Sequence, residues 1–348
     1  MPNSSPHFRT DVLTGQQVIV ASNRSQRPSS HCPDPALNCI PDPFAEGHES
    51  ETPDEQFAIR SGNSAPNGPG WTLRVVPNRY PSVETASVPR TVDNGGLTGD
   101  DELFPCRPAC GDHDVVIECP DGRSRMIDLS TAEIQQTFIA WRTRMQQFIL
   151  SPNISSVAVF RNEGFSAGAS LAHCHSQIVA TADMMPLDLA RHECAVRHRA
   201  NTGRDIVQDV WNAEHRQRVR VIRESGFFGV CCPFASRASW QVRFVPKQNQ
   251  PCFFAEASNA MLLELAALLK ATLLSLNTIL NGPFSFNLTL SHPPINQTAA
   301  FSWYLDVLPR TGRSAGFELL TNMDIITVAP ELAAEKIREV IDDKSSRR

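Results

Sequence analysis

The 348-residue sequence is short of the features that would set it on a nucleic acid or in a membrane. Its net charge is −5, so no basic field is available to hold a nucleic-acid backbone, and nucleic acid is not expected as a partner. The opening residues MPNSSPHFRTD lack the charged start and apolar run of a signal peptide. No stretch is expected to supply the roughly 18 consecutive apolar residues that span a bilayer, so a soluble, cytoplasmic chain without a membrane partner is expected. There is no Gly-x-x-x-x-Gly-Lys-Ser/Thr phosphate loop, and the glycines of GFSAGAS lead into a strand-like run instead of opening a helix, which disfavours Rossmann and kinase readings. The ten cysteines are dispersed over a long chain, with Cys231 and Cys232 adjacent. They do not make the disulfide framework of a short secreted protein and read mostly as buried thiols.

What is present is a normal globular complement, 41% hydrophobic, enough for one large or two ordinary domains. The segment DVLTGQQVIVASNRSQRP reads as a turn at Gly15, a strand through Val18 to Val20 and a polar stretch with Arg24 and Arg27. A Pro- and Cys-rich connection follows to about residue 70 with little periodicity. TLRVVPNRYP and HDVVIEC are β-branched strand candidates. STAEIQQTFIAWRTRMQQFIL opens on a capping box, Ser130 and Glu133, and repeats Ile134, Phe138, Trp141, Met145 and Phe148 at helical spacing, a core-facing stripe. The second half repeats the order: WQVRFVPKQNQP is similar to WTLRVVPNRYP, and a long apolar helix precedes FSFNLTL and FSWYLDVLP. No His-x-His stands on its last strand, so any chemistry is asymmetric.

The chemistry concentrates in NEGFSAGASLAHCHSQIVA, residues 162–180. On an extended strand His173, His175 and Gln177 would share one face while Cys174, Ser176 and Ile178 take the other. A loop of small residues beside them lets backbone N–H groups approach an anion. A neutral imidazole attacking phosphorus would divide a transfer into two steps through a phosphoramidate, and Gln177 would donate to the phosphoryl oxygens. Spacing alone leaves nucleophile, metal ligand and structural residue open for the pair of histidines.

The stretch NEGFSAGASLAHCHSQ closely resembles the active-site signature of the galactose-1-phosphate uridylyltransferase family, a branch of the histidine triad superfamily. DVLTGQQVIVASNRSQRP, RVVPNRYP, DHDVVIECPDG, PFASRASWQVRFVPK and VLPRTGRSAGFELL fall in family order along nearly the whole chain. The resemblance implies an α+β fold of two tandem histidine-triad-like halves, residues 1–185 carrying the nucleophile and 186–348 lacking it, with a mostly antiparallel sheet and packed helices. It makes His175 the nucleophile, with the His173 carbonyl fixing its tautomer. Gln177, Ser170 and Asn162 would hold the phosphates, and Arg24 and Arg27 would lie near the nucleotide. Asn78 and Tyr80 would contact base and ribose, and Glu318 the sugar hydroxyls. The implied partners are a nucleotide sugar, a sugar phosphate or phosphate, and a second copy of the chain in a homodimer.

The departures from the family pattern concern metal. Many relatives hold a structural zinc through two cysteines, a histidine and the first histidine of the active strand. Here Asp42 and Ala45 stand at the cysteine positions and Gly122 at the histidine position, so three of four ligands are absent and the zinc is expected to be lost. A rebuilt site from His31, Cys32, Cys39, Asp42 or His48 is the alternative. A second metal site of some relatives uses histidines on the last strand, where this chain has FSWYLDV.

The expected activity is transfer of a nucleoside monophosphate, UMP first, between a nucleoside diphosphate sugar and a hexose 1-phosphate. Adenylyl transfer from an ADP-sugar to inorganic phosphate is the enzymatic alternative. A nucleotide-binding protein without turnover is the alternative of another class.

Overall fold

The computed structural model describes residues 5–26, 42–85, 103–104, 108–295 and 297–346. In chain order the first half contains β1 (His7–Thr10), β2 (Gln17–Val20), β3 (Phe57–Arg60), β4 (Trp71–Pro77), β5 (Gly111–Ile117), α1 (Thr131–Ile149), β6 (Ser156–Glu163) and β7 (His175–Thr181). After it come α2 (Pro186–Thr202), α3 (Ile206–Gln217), β8 (Val221–Glu224), β9 (Phe228–Cys231), β10 (Val242–Pro246) and α4 (Asn259–Ile279). The chain ends through β11 (Phe286–Ser291), β12 (Tyr304–Pro309), α5 (Gly316–Thr321), β13 (Asp324–Ile326) and α6 (Pro330–Ser346).

Ten strands form one sheet in the order β3, β4, β5, β7, β6, β11, β12, β10, β9, β8. Every neighbouring pair in it is antiparallel. The order reads the same outward from the β6–β11 contact, so a local two-fold relates the halves. Its registers fix the equivalences: Phe160 faces Gln177 as Thr289 faces Asp306, and Phe160 faces Thr289. Gln177 is therefore matched by Asp306, and His175 by Tyr304. Under this two-fold β10 is the mate of β5 and β9 the mate of β4. The likeness of WQVRFVP to WTLRVVP is thus a local pattern, a β-branched strand stopped by proline, on strands that are not topological mates. A small sheet of β1, β2 and β13 brings the N-terminus to the C-terminal region.

One face of the large sheet is dry. Cys174 just before β7 and Ser176, Ile178 and Ala180 on it have no exposure, and Ser176 Oγ accepts from Trp141 Nε1–H of α1 at 2.8 Å. The helix α1 starts where its sequence says: the Ser130 hydroxyl accepts from the Glu133 N–H at 3.2 Å and the Glu133 carboxylate accepts from the Ser130 N–H at 2.7 Å. Its stripe of Ile134, Phe138, Trp141, Met145 and Phe148 is buried, each side chain contributing about 1.5–3 kcal/mol by leaving water. The 21-residue α4 is long and apolar enough to cross a membrane by length and composition, against the sequence expectation. Its Met261, Leu262, Leu265, Leu269, Leu273 and Leu276 are instead buried in the core, where α4 meets α1 and α6. The opposite face is polar at its centre and carries the site.

Candidate active site

The site is built where β7 begins. The sequence expectation placed His173, His175 and Gln177 along one strand, but β7 starts at His175, and His173 lies in the turn before it. That difference gives the two histidines separate tasks. The His173 carbonyl accepts from His175 Nδ1–H at 2.7 Å, which places the free lone pair of His175 on Nε2. The His173 ring turns inward instead, with Nδ1 2.7 Å from Asp42 Oδ2 and Nε2 2.8 Å from the Cys119 carbonyl oxygen.

His175 is 7% exposed, and Phe44 packs its edge against the ring at 5.4 Å between centroids. This burial, aided by the nearby Arg161 and His173 and opposed by the His173 carbonyl, pushes its pKa down to about 4. The imidazole is therefore neutral at physiological pH, the form that can attack. Beneath it lies a charged network. Arg161 is 1% exposed and reaches Glu118, with Glu163 at 2.8 Å and the His175 carbonyl oxygen at 3.3 Å. Glu163 also accepts the Met126 N–H at 2.8 Å. Burial alone would lower the Arg161 pKa, but the flanking carboxylates hold it well above its usual value.

Gln177 and Asn162 present amides on the same face. Gln177 Oε1 lies 2.8 Å from His113 Nε2. Asn162, two residues beyond the Phe160–Gln177 pair, accepts from Asn287 Nδ2 at 2.8 Å through its oxygen, which leaves its NH2 to a ligand. Asn287 also donates to the Ala167 carbonyl at 2.9 Å, tying the small-residue loop to the sheet. That loop turns at Gly164, whose φ of +84° is unfavourable to other residues, and a Cβ there would stand 2.0 Å from Ser285 Oγ. Beyond Asn162, a cavity of about 310 Å³ opens over the second half, lined among others by Asn287, Arg243, Asp306 and Arg310.

The remaining expected residues are spread more widely. Asn78 joins the cluster, its Nδ2 3.1 Å from His113 Nε2 and its Oδ1 accepting the Tyr80 N–H at 2.8 Å. The Tyr80 side chain is 82% exposed. Ser170 and Arg24 are exposed, and no contact among the described residues links either to His175. Glu318 caps its own short helix α5, accepting the Ala315 N–H at 3.0 Å, and is not brought to the histidine. Arg27, His31, Cys32 and Cys39 lie outside the described residues. Sequence reasoning missed His113, Phe44, Asn287 and Arg161. His113 was visible as a polar residue near the start of a strand whose alternate positions, Val115 and Ile117, share its face.

The zinc positions of the family do come together, and they do not fit zinc. Ala45 and Gly122 supply no donor atom. Asp42 and His173 bind each other, and both ring nitrogens of His173 are engaged by oxygens. His48 is drawn to Glu51 at 3.4 Å. In the second half both Asp306 oxygens are held by Arg243 at 2.8 Å. Among the described residues no cluster of three or more His, Cys, Asp or Glu could hold a metal.

A neutral, oriented imidazole on the same face as two amides is suited to attack on phosphorus. Residues 2–184 match the family model for the galactose-1-phosphate uridyl transferase N-terminal domain. The chain is 30% identical to the ADP-glucose phosphorylase of Arabidopsis thaliana over 97% of its own length and 94% of that protein. It is 26% identical to a probable galactose-1-phosphate uridylyltransferase of Drosophila melanogaster over 96% of its length and 95% of that protein. Its fold superposes on a crystal structure of an Arabidopsis thaliana ADP-glucose phosphorylase with bound ADP-glucose at a TM-score of 0.79, 28% identity, covering 96% of this chain and 99% of that one. The chain belongs to the galactose-1-phosphate uridylyltransferase family of nucleotidyltransferases.

Proposed function

We propose that the protein moves a nucleoside monophosphate from a nucleoside diphosphate sugar to a phosphate-bearing acceptor through a covalent bond to His175. The observation that carries this reading is the hydrogen bond from His175 Nδ1 to the His173 carbonyl, which leaves Nε2 as an aimed, neutral nucleophile. In the first step the Nε2 lone pair attacks the α-phosphorus. The N–P bond forms as the P–O bond to the sugar phosphate breaks, and the electron pair leaves with the sugar 1-phosphate oxygen. That leaving group departs as a weakly basic phosphate and needs no proton donor. In the second step a phosphate oxygen of the acceptor attacks the same phosphorus and Nε2 recovers its pair. The NH2 groups of Gln177 and Asn162 steady the non-bridging oxygens as charge shifts, and the His173 carbonyl steadies the positive charge that His175 gains.

Both nucleotides remain readings of this one site. An adenylyl group passed from an ADP-sugar to inorganic phosphate takes first place, because identity is 30% to the ADP-glucose phosphorylase against 26% and 25% to two uridylyltransferases. Uridylyl transfer to a hexose 1-phosphate is the second reading. Residues 1–185 would supply the nucleophile and 186–348 its mate, working as a cytoplasmic homodimer; a monomer mass by light scattering would reject the dimer. The deciding experiment incubates the enzyme with ADP- and UDP-sugars side by side, with phosphate and hexose 1-phosphates as acceptors. Turnover of at least one pair that disappears in His175→Ala is expected. Turnover retained by that variant, or tight nucleotide binding with no turnover of any pair, would reject the reading.

A further inference from the structure

The half without a nucleophile reaches the phosphate side of the sheet through one buried amide. Asn162 on β6 pairs with Asn287 on β11, where the two halves join. Two residues back, Phe160 pairs with Gln177, so the antiparallel register sets Asn162 level with His175 and on the same face. An amide favours a phosphoryl oxygen only with its NH2 end, and its two ends have nearly the same shape, so a neighbour must choose between them. For Asn162 that neighbour is Asn287, whose own sense is set from two sides by groups that have no choice. Arg310 Nε–H donates to Asn287 Oδ1, and a guanidinium can only donate. The Ala167 carbonyl accepts from the Asn287 NH2 at 2.9 Å, and a carbonyl can only accept. The other hydrogen of that NH2 therefore meets Asn162 at 2.8 Å and selects its oxygen. The Asn162 NH2 is turned the other way, and no group among the described residues takes it up.

Burial makes the choice strict. Asn287 is 9% exposed, and turning its amide end for end would set an NH2 against Arg310 and an oxygen against the Ala167 carbonyl, two buried mismatches at once. Fastening the small-residue loop to the sheet needs only the Ala167 contact. The contact with Asn162 adds a direction, and Asn162, Asn287 and Arg310 all line the same cavity.

We propose that Asn287, its sense fixed by Arg310 and the Ala167 carbonyl, is a positioning residue through which the second half presents the Asn162 NH2 to the phosphoryl group. This inference rests on nucleotidyl transfer through His175. The test measures the single-turnover rate of nucleotidyl-enzyme formation by quench-flow and intact mass, using the nucleotide sugar that turns over. It also measures the Kd of the matching free nucleoside, which has no phosphate for Asn162 to hold. Asn287→Asp keeps the size and the Arg310 contact but offers Asn162 only an acceptor, so Asn162 turns its NH2 inward and its oxygen toward the phosphate. Adduct formation is expected to slow about tenfold or more, as far as in Asn162→Ala, with the nucleoside Kd within about twofold. Asn287→Leu, which leaves Asn162 free to turn, loses less. In an Asn162→Ala background neither variant costs more than about twofold further, because the two residues act as one unit.

A full additional cost in that background overturns the inference, as does a rate in Asn287→Leu below that of Asn287→Asp. A nucleoside Kd weakened as far as the rate overturns it too, because the loss is then one of general structure. Should the Asp variant fail to fold, the Leu variant decides through the same cycle. Wild type forming the adduct while Asn287→Asp matches its rate defeats this inference alone. Wild type forming no adduct with any nucleotide sugar defeats both it and the function proposed above.

Discussion

In the proposed reaction, burial and one carbonyl hydrogen bond at His175 do the work that a general base does for other nucleophiles. A pKa of about 4 makes the folded-state imidazole neutral across the physiological range, and the reactive form is lost only as pH falls toward that value. Adduct formation in pH-jump experiments is therefore expected to stay flat from about pH 8 to 5.5, whereas a decline centred near the unperturbed histidine value of about 6.5 would contradict the burial argument. Beside it, Asp42 takes the place a metal would hold on His173. Treatment with a strong chelator is expected to leave adduct formation and melting temperature unchanged, and stoichiometric zinc lost with activity would overturn the replacement. The contact of His175 with the His173 carbonyl was legible because it joins residues close in sequence. His113 was not. It lies 2.8 Å from Gln177 across 64 residues, and only the strand register brings them together.

Among the elements, β7 and its approach hold the chemistry in place through Arg161. The guanidinium ties Glu118 on the exit from β5 to Glu163 at the end of β6 and touches the first carbonyl of β7. Arg161→Met would leave two buried carboxylates without their partner and is expected to cost about 3–5 kcal/mol in denaturant unfolding; a loss below about 1 kcal/mol would show that the network is not holding the sheet centre. The sequence revealed α1 fully, since its cap and stripe are local signals. It extended β7 two residues too far, because period-two polarity cannot distinguish a strand from the turn that feeds it. It also matched β10 with β4 by wording, while the strand order makes β5 the two-fold mate of β10.

The molecule as a whole is a ten-stranded sheet with a dry face shared by both halves. One apolar cluster runs from Leu73 through Trp141 and Leu269 to Ile337, crossing the boundary expected at residue 185. The termini are fastened as well: Glu331 on α6 accepts from Arg9 at 2.9 Å and from Arg220 at 2.8 Å. Both guanidiniums stack on Phe234, at 4.5 and 5.1 Å from its ring centre. Halves joined in this way should not melt separately. One calorimetric transition, with matching calorimetric and van't Hoff enthalpies, is expected; two resolved transitions would mean that the halves are independent units. The tandem plan was legible from the family resemblance, but the single shared core was not, because sequence gives no register between β6 and β11.

The proposed bond between His175 Nε2 and phosphorus can be read directly. The enzyme is mixed with ADP- and UDP-sugars, quenched at alkaline pH where phosphoramidates survive, digested, and its peptides mapped by tandem mass spectrometry. A nucleoside monophosphate on His175, chased off by the phosphate acceptor, is the predicted result. A modification on any other residue, or turnover with no modified peptide at any time, would contradict the account.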